Sequence, residues 1–460
     1  MSTNVYVYIL PLFFSLVGAL LCLIRKTHFE EIVSILASSA SVMVSFVILF
    51  FPTYTSTYFY IDGFSKIMLV MISMIYLSTV VFSTTYMKYV ENPTFEKHFY
   101  YLLMNLFAFS MLFTVSVNDL GLMWVGIEAT TVTSALLVAT ENTESSIEAT
   151  WRYVIIVSVG LIVSLLSNIF IYSVSGTLNF QQMMKGVPDD KILILGAMMA
   201  VIGYGTKAGI FPMHTWLPDV HGKAPAPVSA VFSGILLAVA LYAIARILQI
   251  VDLAIVKEFA FWLGLLSVAV AATLMIVQKH YKRLYAYSTM ENIGMMLIGI
   301  SLGKYAFLGA VILAVSHAFA KSSAFYLSGN ILARYKSKKI EDVRGVSKLM
   351  PFTGYTLFFS SLALTGTPPF GTFLGELLII YGTLKYSSLF VTLTIISFLL
   401  IAFVSVNYKV GSMIFSESEM NVSERKRVGV IVPLVNTSLS FLVIFFVPQI
   451  QLLLSQGMIR

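Results

Sequence analysis

The sequence predicts an all-α polytopic membrane protein with about fourteen transmembrane helices. Hydrophobic residues make up 58% of the 460 residues and charged residues only 11%, whereas a soluble domain carries about 25% charged residues. The mean hydropathy is +0.88. The apolar residues form runs close to the roughly 20 residues that a helix needs to cross a bilayer. These observations place the whole chain in the membrane as a single membrane domain.

The predicted spans follow one another with short loops. They lie at about 5–24, 31–51, 65–87, 99–116, 118–139, 152–175, 191–217, 225–249, 256–278, 283–302, 305–333, 350–384, 387–409 and 428–454. The longest polar loop, 416–427, has about a dozen residues, so we expect no inserted soluble domain. The first apolar run continues directly as a span, and the residues before it lack the basic segment of a cleavable signal peptide.

The distribution of basic residues predicts the orientation. When both termini are placed outside, the loops after odd-numbered spans carry most of the 29 lysines and arginines, including the clusters at 279–283, 334–348 and 425–427. Cytoplasmic loops are enriched in these residues. Lys207, Arg246 and Lys321 remain inside spans. We therefore expect a multi-pass protein of the cytoplasmic membrane with both termini on the outer side.

Two spans carry breaks at corresponding places. The seventh is interrupted around residues 211–218 and the twelfth at 365–372, which reads TGTPPFGT. Paired interruptions in two halves are typical of inverted repeats with a site near the midplane. We therefore divide the chain into N-terminal helices 1–3 (1–97), a first repeat of helices 4–8 (98–250), a second repeat of helices 9–13 (251–410), and a loop with helix 14 (411–460).

The first break lies in a stretch, 205–246, that is unusual for a membrane span. It holds Lys207, His214 and Asp219 together with several prolines. An ionisable residue within a membrane is a functional-site hypothesis by default, and a broken helix needs protein or water to satisfy its backbone. His214 and Asp219 flank the break. They line a water-filled opening or cap freed backbone groups.

Glu128 and Lys207 form the first candidate pair. Glu128 lies in the fifth span, within MWVGIEATTVTSALL, and nothing structural requires a carboxyl group there. The charge of a buried lysine depends on the distance to a carboxylate, which is what a proton relay requires. The alternative is a fixed ion pair that specifies packing, although such pairs are poor stabilisers.

The second half of the chain supplies the remaining candidates. His317 and Lys321 are four residues apart in the eleventh span and share one helix face, and an imidazole can carry protons in both directions. Glu376 follows the second break. Glu291 in the tenth span is either part of the relay or a partner in a hydrogen bond between helices. For Arg246 we expect snorkelling to the interface or a structural ion pair.

Several classes of function are excluded. A single cysteine, Cys22, leaves no intrachain disulfide and no iron–sulfur cluster held by thiolates. The six histidines are scattered, and no nucleotide-binding motif, set of metal ligands or nucleophile constellation appears. We therefore expect no catalytic, cofactor or metal site in this chain. Because a cation site would show clustered carboxylates, hydroxyls and carbonyls, the choice between proton and sodium stays open.

These residues resemble the antiporter-like subunits of the respiratory complex I superfamily, which also contains Mrp cation/proton antiporters and membrane-bound hydrogenases. The family's fifth-span glutamate matches Glu128 in MWVGIEATT, and its seventh-span lysine matches Lys207, before the signature-like PMHTWLPDVHGKAPAPVSA. Its eleventh-span relay motif matches HAFAK at His317 and Lys321. The twelfth-span residue, lysine or glutamate in different members, is Glu376 here. The resemblance implies fourteen helices, two inverted five-helix repeats, and ion pumping coupled to redox chemistry on neighbouring subunits.

Within the superfamily, the stretches PDVHGKAPAPVSAVFSGILLAVALYAIAR and WVGIEATT are most similar to the group 4 hydrogenase branch, hydrogenase-4 component F and its relatives. This implies a membrane-bound hydrogenase or a related sulfur-reducing complex, with other antiporter-like subunits and a peripheral redox arm as partners. Iron–sulfur clusters and a nickel–iron centre would lie on those partners. One departure is Ala238, which stands where many members have a bridging lysine or histidine.

Three alternatives stay open. The chain could belong to a complex I NADH/quinone oxidoreductase. It could also be an Mrp-type sodium/proton antiporter subunit without a redox partner, or a structural anchor whose channel is inactive. Whether it takes part in an enzyme depends on its partners and is left open.

Overall fold

The computed structural model describes residues 5–25, 28–90, 93–418, 424 and 428–456, which fold almost entirely into helices. The helices are α1 (Val5–Leu21), α2 (Phe29–Ile48), α3 (Gly63–Tyr86), α4 (Lys97–Thr114), α5 (Leu120–Val138), α6 (Glu144–Ser175), α7 (Phe180–Met183), α8 (Lys191–Ala208), α9 (Trp216–Lys223), α10 (Ala226–Val231), α11 (Leu237–Ile250), α12 (Ala254–Ile276), α13 (Tyr281–Leu302), α14 (Lys304–Tyr335), α15 (Val346–Leu349), α16 (Pro351–Leu364), α17 (Gly371–Tyr386), α18 (Leu389–Phe415), α19 (Val428–Leu442) and α20 (Val447–Ser455). A short antiparallel hairpin of β1 (Tyr54–Thr55) and β2 (Tyr60–Ile61) joins α2 to α3.

Ten helical segments of the described residues are long and apolar enough to cross a membrane. They are Phe29–Ile48, Gly63–Tyr86, Leu120–Glu141, Glu144–Ser175, Lys191–Lys223, Ala226–Ile250, Ala254–Ile276, Lys304–Tyr335, Leu389–Phe415 and Gly429–Ser455. The expected polytopic helical membrane fold is therefore confirmed. Both termini and the basic cluster at 425–427, which entered the predicted orientation, lie outside the described residues.

One predicted boundary is wrong by two turns. The sixth span was expected to begin at residue 152, but α6 begins at Glu144. Thr143 caps it, because its hydroxyl accepts from the Ser146 amide at 3.1 Å while the Ser146 hydroxyl accepts from the Thr143 amide. A polar first turn hid this start from a hydropathy argument. Arg152, expected at the start of the span, therefore lies two turns inside the helix.

The first break lies at the end of α8, slightly before the predicted place. Gly209 adopts a left-handed conformation with φ of 73°, which ends α8 in the manner of a glycine C-cap. Side chains replace the lost helical hydrogen bonds. The indole of Trp216 donates to the Thr206 carbonyl, and the Phe211 amide donates to the Ser267 hydroxyl, both at 2.9 Å. Protein groups thus satisfy part of the backbone freed at the break, as an interruption at membrane depth requires.

The second break separates α16 from α17, as predicted. Gly366 is left-handed with φ of 59°. The hydroxyl of Thr372 donates to the Ala363 carbonyl at 2.6 Å, and the amide of Asn407 donates to the Thr365 hydroxyl at 2.8 Å. The Thr372 hydroxyl thus satisfies one freed carbonyl of the break, and Asn407 from α18 holds the side chain of Thr365.

One helical segment forms the centre of the bundle. The Ala226–Ile250 segment is buried on all sides, whereas only a third of the most apolar stretch of α18 is buried. The charged spans α8, α13 and α14 pack around the central segment. Polar side chains in the membrane therefore lie in the interior, shielded from lipid.

Arg246, near the end of α11, is a structural ion-pair residue and does not snorkel. Its guanidinium group is buried and donates to both carboxylate oxygens of Asp62, the residue that caps α3. The rings of Tyr60 and Tyr242 lie against it, with centroids 5.3 and 4.8 Å away. This pair fastens the N-terminal helices to the central segment.

Candidate functional site: a series of buried charged side chains

Lys207 ends the last turn of α8 and is fully buried. Its ammonium group donates to the hydroxyls of Thr131, at 2.9 Å, and Tyr153, at 2.5 Å. Tyr153 in turn lies 2.7 Å from the Ser134 hydroxyl. These contacts replace an ionic partner, because a buried ammonium group must keep its hydrogen bonds.

Glu128 lies on α5, one turn before Thr131. Among the ion pairs between described residues, none joins it to Lys207, although the two charges interact through space. Its Oε2 atom is buried without a hydrogen-bond partner. The fixed ion pair that sequence left as an alternative is therefore absent from this conformation.

His317 on α14 contacts the central segment. Its Nε2 lies 3.3 Å from the carbonyl of Ser233, and its Nδ1 has no partner. Ser233 belongs to the π-helical turn Phe232–Leu236 between α10 and α11. Such a turn shifts the hydrogen-bond register and is frequent at functional sites. The backbone carbonyl of Ser233 in the central segment is thus a hydrogen-bond acceptor for His317.

Lys321 is one turn further along α14 and fully buried. Its ammonium group donates to the Ser288 hydroxyl at 2.6 Å and to the Tyr285 carbonyl at 3.2 Å, both on α13. It does not hydrogen-bond His317, but its charge acts on that ring. The expected common face of these two residues is present.

Glu291 and Glu376 both lie at the second break. The amide of Asn292 donates to Glu291 Oε2 at 2.7 Å and to the carbonyl of Leu364, the last residue of α16, at 3.4 Å. The carboxyl group of Glu376 packs against Gly366 so closely that a Cβ there would lie 2.7 Å from its Oε1. Glu291 interacts electrostatically with Lys321 and with Glu376. The structure thus places Glu291 between Lys321 and Glu376 in the second half.

Asp219 and His214 lie apart from that series. Asp219 is partly exposed and lies 3.5 Å from both Arg152 and Arg283. His214 is buried beside Phe211 and Tyr287, with its Nδ1 unpartnered. The His214 ring interacts with the backbone of Pro212 within the break, which agrees with the expected capping of a freed backbone group.

Sequence reasoning missed several buried basic residues, among them His221 and Lys282. His221 on α9 has no hydrogen-bond partner for either ring nitrogen and stacks on Phe325 at 4.8 Å. Lys282, assigned to an inner loop, is fully buried and donates to the Ala224 carbonyl at 3.0 Å. The charges of Lys321 and Lys282 both act on His221. The sequence did indicate His221 indirectly, because it lies in the PDVHGK stretch, two residues after Asp219.

The expected bridging position is apolar. Ala238 lines a cavity of about 20 Å³ together with the side chains of Phe64, Met68, Tyr242 and Met296. Such a volume could hold one water molecule, but a water needs two to four polar partners. Among the described residues that line this cavity, none is a carboxylate, a lysine, an arginine or a histidine.

Within the described residues, no three His, Cys, Asp or Glu side chains group together as metal ligands. The fold and its interior define a polytopic helical membrane protein with ionisable residues on several of its central helices. Residues 117–402 match the family described as NADH:quinone oxidoreductase/Mrp antiporter, TM. The chain belongs to this family, as an antiporter-like subunit of the complex I, Mrp and membrane-bound hydrogenase superfamily, which confirms the resemblance.

Relatives and solved structures agree with this assignment. The chain is 31% identical over 395 residues to the hydrogenase-4 component F homolog of Methylacidiphilum infernorum, covering 80% of this chain and 82% of that protein. Its fold is similar to a chain of the membrane-bound sulfane sulfur reductase, an archaeal respiratory membrane complex, with a TM-score of 0.89, 21% identity, and coverage of 99% and 97%. Its fold is also similar to a chain of the Mrp complex from Dietzia sp. DQ12-45-1b, with a TM-score of 0.85 and 19% identity. The match covers 98% of this chain and 96% of that chain.

Proposed function

We propose that this antiporter-like subunit translocates protons, or exchanges sodium for protons, along Glu128, Lys207, His317, Lys321 and Glu376, with Glu291 as a further member. The observation that carries the proposal is the position of Lys207. Its ammonium group is buried but held by two neutral hydroxyls, with an unpartnered carboxylate oxygen of Glu128 nearby. A lysine in this position can exchange between the two hydroxyls and the Glu128 carboxylate. A lysine that only supports the fold would need a single set of partners.

The two states of that exchange have different charges. When Lys207 approaches Glu128, the carboxylate stabilises the ammonium form. When it returns to Thr131 and Tyr153, burial among neutral groups favours loss of the proton. Tyr153 accepts from Lys207 and can donate to Ser134, so hydroxyls continue the path away from the lysine.

In the second half, His317 and Lys321 pass charge along α14, and Glu291 connects Lys321 with Glu376. Glu376 would exchange with one side of the membrane. The apolar gap at Ala238 requires that water enter transiently, because no side chain there carries protons. His214 would line the opening at the first break, and Asp219 its rim.

The helices α1, α4, α13 and the α16–α17 pair would complete a set of fourteen spans with the ten apolar segments. The repeats would comprise 98–250 and 251–410, after N-terminal helices in 1–97 and before a last helix in 411–460. In this arrangement Glu291, in the tenth span, corresponds to Glu128 in the fifth, and Glu376 corresponds to Lys207. The chain would lie in the cytoplasmic membrane with both termini outside.

The partners would be further antiporter-like subunits and a peripheral redox arm of hydrogenase type, which would carry iron–sulfur clusters and a nickel–iron centre. This rests on the similarity to a hydrogenase-4 component F homolog and to the fold of a respiratory membrane complex. A redox-free Mrp-type antiporter is the second candidate, favoured by the similar fold in an Mrp complex. Purification from native membranes would decide. Co-purified iron and nickel support the first candidate, and small antiporter subunits without iron support the second.

The relay itself is tested by Lys207→Met in the intact complex. We expect coupled ion transport to be lost while electron transfer continues or slows. Lys409→Met is the matched control, because Lys409 binds the carbonyls of Met275, Ile276 and Gln278 at 2.7–2.8 Å and has no place in the relay. Unimpaired transport in Lys207→Met would refute the proposal.

A further inference from the structure

The second break gathers oxygen atoms that have no partner. Asn292 is 0% exposed, its side chain contacts both Glu291 and the end of α16, and its Oδ1 accepts no hydrogen bond. Thr367, next to Gly366, has a buried hydroxyl that is also unpartnered. Buried polar atoms normally have partners, so each exception needs an explanation.

Both carboxyl groups lie at the second break: Asn292 links Glu291 to the Leu364 carbonyl, and Glu376 packs against Gly366, two residues further along the chain. Two buried carboxylates close together cannot both keep their charge without compensation. Lys321 supplies one positive charge, held by Ser288 and Tyr285 and acting on Glu291. One negative charge is left over, so the site needs a single further positive charge.

The two proposed repeats differ in charge at corresponding positions. In the first half, these positions hold the acidic Glu128 and the basic Lys207. In the second half, the corresponding positions are Glu291 and Glu376, both acids. The positive charge that Lys207 provides in the first half is therefore missing at the second break, and it must come from outside the chain.

We propose that the second break is a sodium site, formed by the carboxylates of Glu291 and Glu376, the amide oxygen of Asn292 and the hydroxyl of Thr367. Small hard cations prefer such oxygen ligands. The C-terminal end of α16 adds its partial negative charge, and a broken helix is where transporters bind coupling ions. The charge of Lys321 selects a monovalent ion over a divalent one.

This inference rests on the proposed function, because it names the ion and its place within the same path. Sodium and a proton would compete for one site, since a proton on Glu376 supplies the same charge. Such competition is the basis of exchange, because the site releases one ion as it takes the other.

The experiment uses the purified complex and a hydrophobic carbodiimide, which modifies protonated buried carboxyl groups. Mass spectrometry measures the adduct on the peptide that contains Glu376. Sodium, lithium, potassium and choline chlorides are compared at equal ionic strength. With sodium at about ten times its dissociation constant, we expect labelling to slow about tenfold. Lithium should also protect, whereas potassium should resemble choline.

Variants of the proposed ligands test whether sodium protects Glu376 by binding at this site. Glu291→Gln and Asn292→Ala should each remove the protection by sodium, while Glu376 still becomes labelled in choline, which shows that the fold persists. Asn407→Ala is the matched control, because Asn407 bonds Thr365 at the same break without contacting either carboxylate. It should keep the protection.

Equal labelling in sodium and choline would overturn the sodium site and leave a proton as its occupant. Equal protection by potassium would also overturn it. Lys207→Met should leave the protection by sodium unchanged, so a failed sodium site and a failed relay give different results.

Discussion

Arg246 on α11 and Asp62 before α3 form a buried bidentate ion pair. The two terminal nitrogens of the guanidinium group lie 2.8 and 2.6 Å from the two carboxylate oxygens, and both side chains are almost fully buried. Ser65 accepts a third hydrogen bond from Arg246 at 3.0 Å. This geometry matches the planar fork of arginine, and it joins segments separated by 184 positions in sequence.

Removal of one partner should destabilise the fold. Arg246→Met leaves the Asp62 carboxylate buried and unpaired, which costs about 3–5 kcal/mol. Arg246→Lys should also lose stability, because an ammonium group cannot reproduce the bidentate contact. Unfolding of the detergent-solubilised chain measures the change.

The double variant Asp62→Asn/Arg246→Met should be more stable than Arg246→Met alone, because no charge remains unpaired. The free energies of unfolding lost by Asp62→Asn and by Arg246→Met could instead add up to the loss in the double variant. The two side chains would then have no coupling energy, and the structural role assigned to the pair would be wrong.

Gly366 should be required for the position of Glu376. A Cβ at residue 366 would lie 2.7 Å from Glu376 Oε1, and its backbone φ of 59° disfavours any other residue. Gly366→Ala should therefore displace the carboxyl group and reduce coupled transport strongly, while the complex still assembles. Transport in proteoliposomes and assembly on native gels measure the two effects.

Gly411→Ala is the control for that change. Gly411 lies within α18, and a Cβ there would meet nothing within 4 Å. We expect its transport to stay normal. If Gly366→Ala transported as well as this control, the carboxyl group of Glu376 would not depend on the break.

The sequence predicted the spans and their breaks because both depend on local properties. Apolar length defines a span, and Pro and Gly mark where it stops, as Gly209 and Gly366 show. Local patterns also placed His317 and Lys321 on one face. The start of α6 was missed, since a capping residue can precede a polar first turn.

The partners of the charged residues could not be predicted, because each comes from a distant part of the chain. Tyr153 holds Lys207 from 54 positions away, and Ser288 holds Lys321 from 33. The approach of Glu291 to Glu376 depends on how α13 packs against α17. Hydropathy and spacing describe one helix at a time and carry no information on such packing.

His280, in the loop before α13, should titrate below its usual range. Partial burial, and then the positive charges of Arg283, Lys223, Lys339 and Lys338, lower its pKa from 6.5. Its folded pKa is thus below the unfolded one. The stability linked to this neutral imidazole is present above pH 6.5 and is lost as pH falls through the folded pKa.

Exchange of the imidazole C2 hydrogen for deuterium, followed by mass spectrometry, measures this pKa. Lys223→Gln removes one of the acting charges and should raise it, as should added salt, which screens exposed charges. Lys88→Gln, on a lysine that does not act on His280, should leave it unchanged. A value at or above 6.5 in the native protein would contradict the prediction.

Tyr153→Phe should change the resting position of Lys207. The variant removes the hydroxyl that accepts from the ammonium group at 2.5 Å and leaves Thr131 as its one remaining hydroxyl partner. A hydrogen bond to a charged group contributes about 1.5–3 kcal/mol. Without it, Lys207 should move to Glu128 and stay there as an ion pair. Coupled transport should then slow about tenfold, since about 1.4 kcal/mol corresponds to a factor of ten. Tyr101→Phe is the matched control, because the Tyr101 hydroxyl is buried without a hydrogen-bond partner. Equal transport rates in the two variants would mean that Tyr153 does not hold Lys207 away from Glu128, and the exchange between two positions would lose its structural basis.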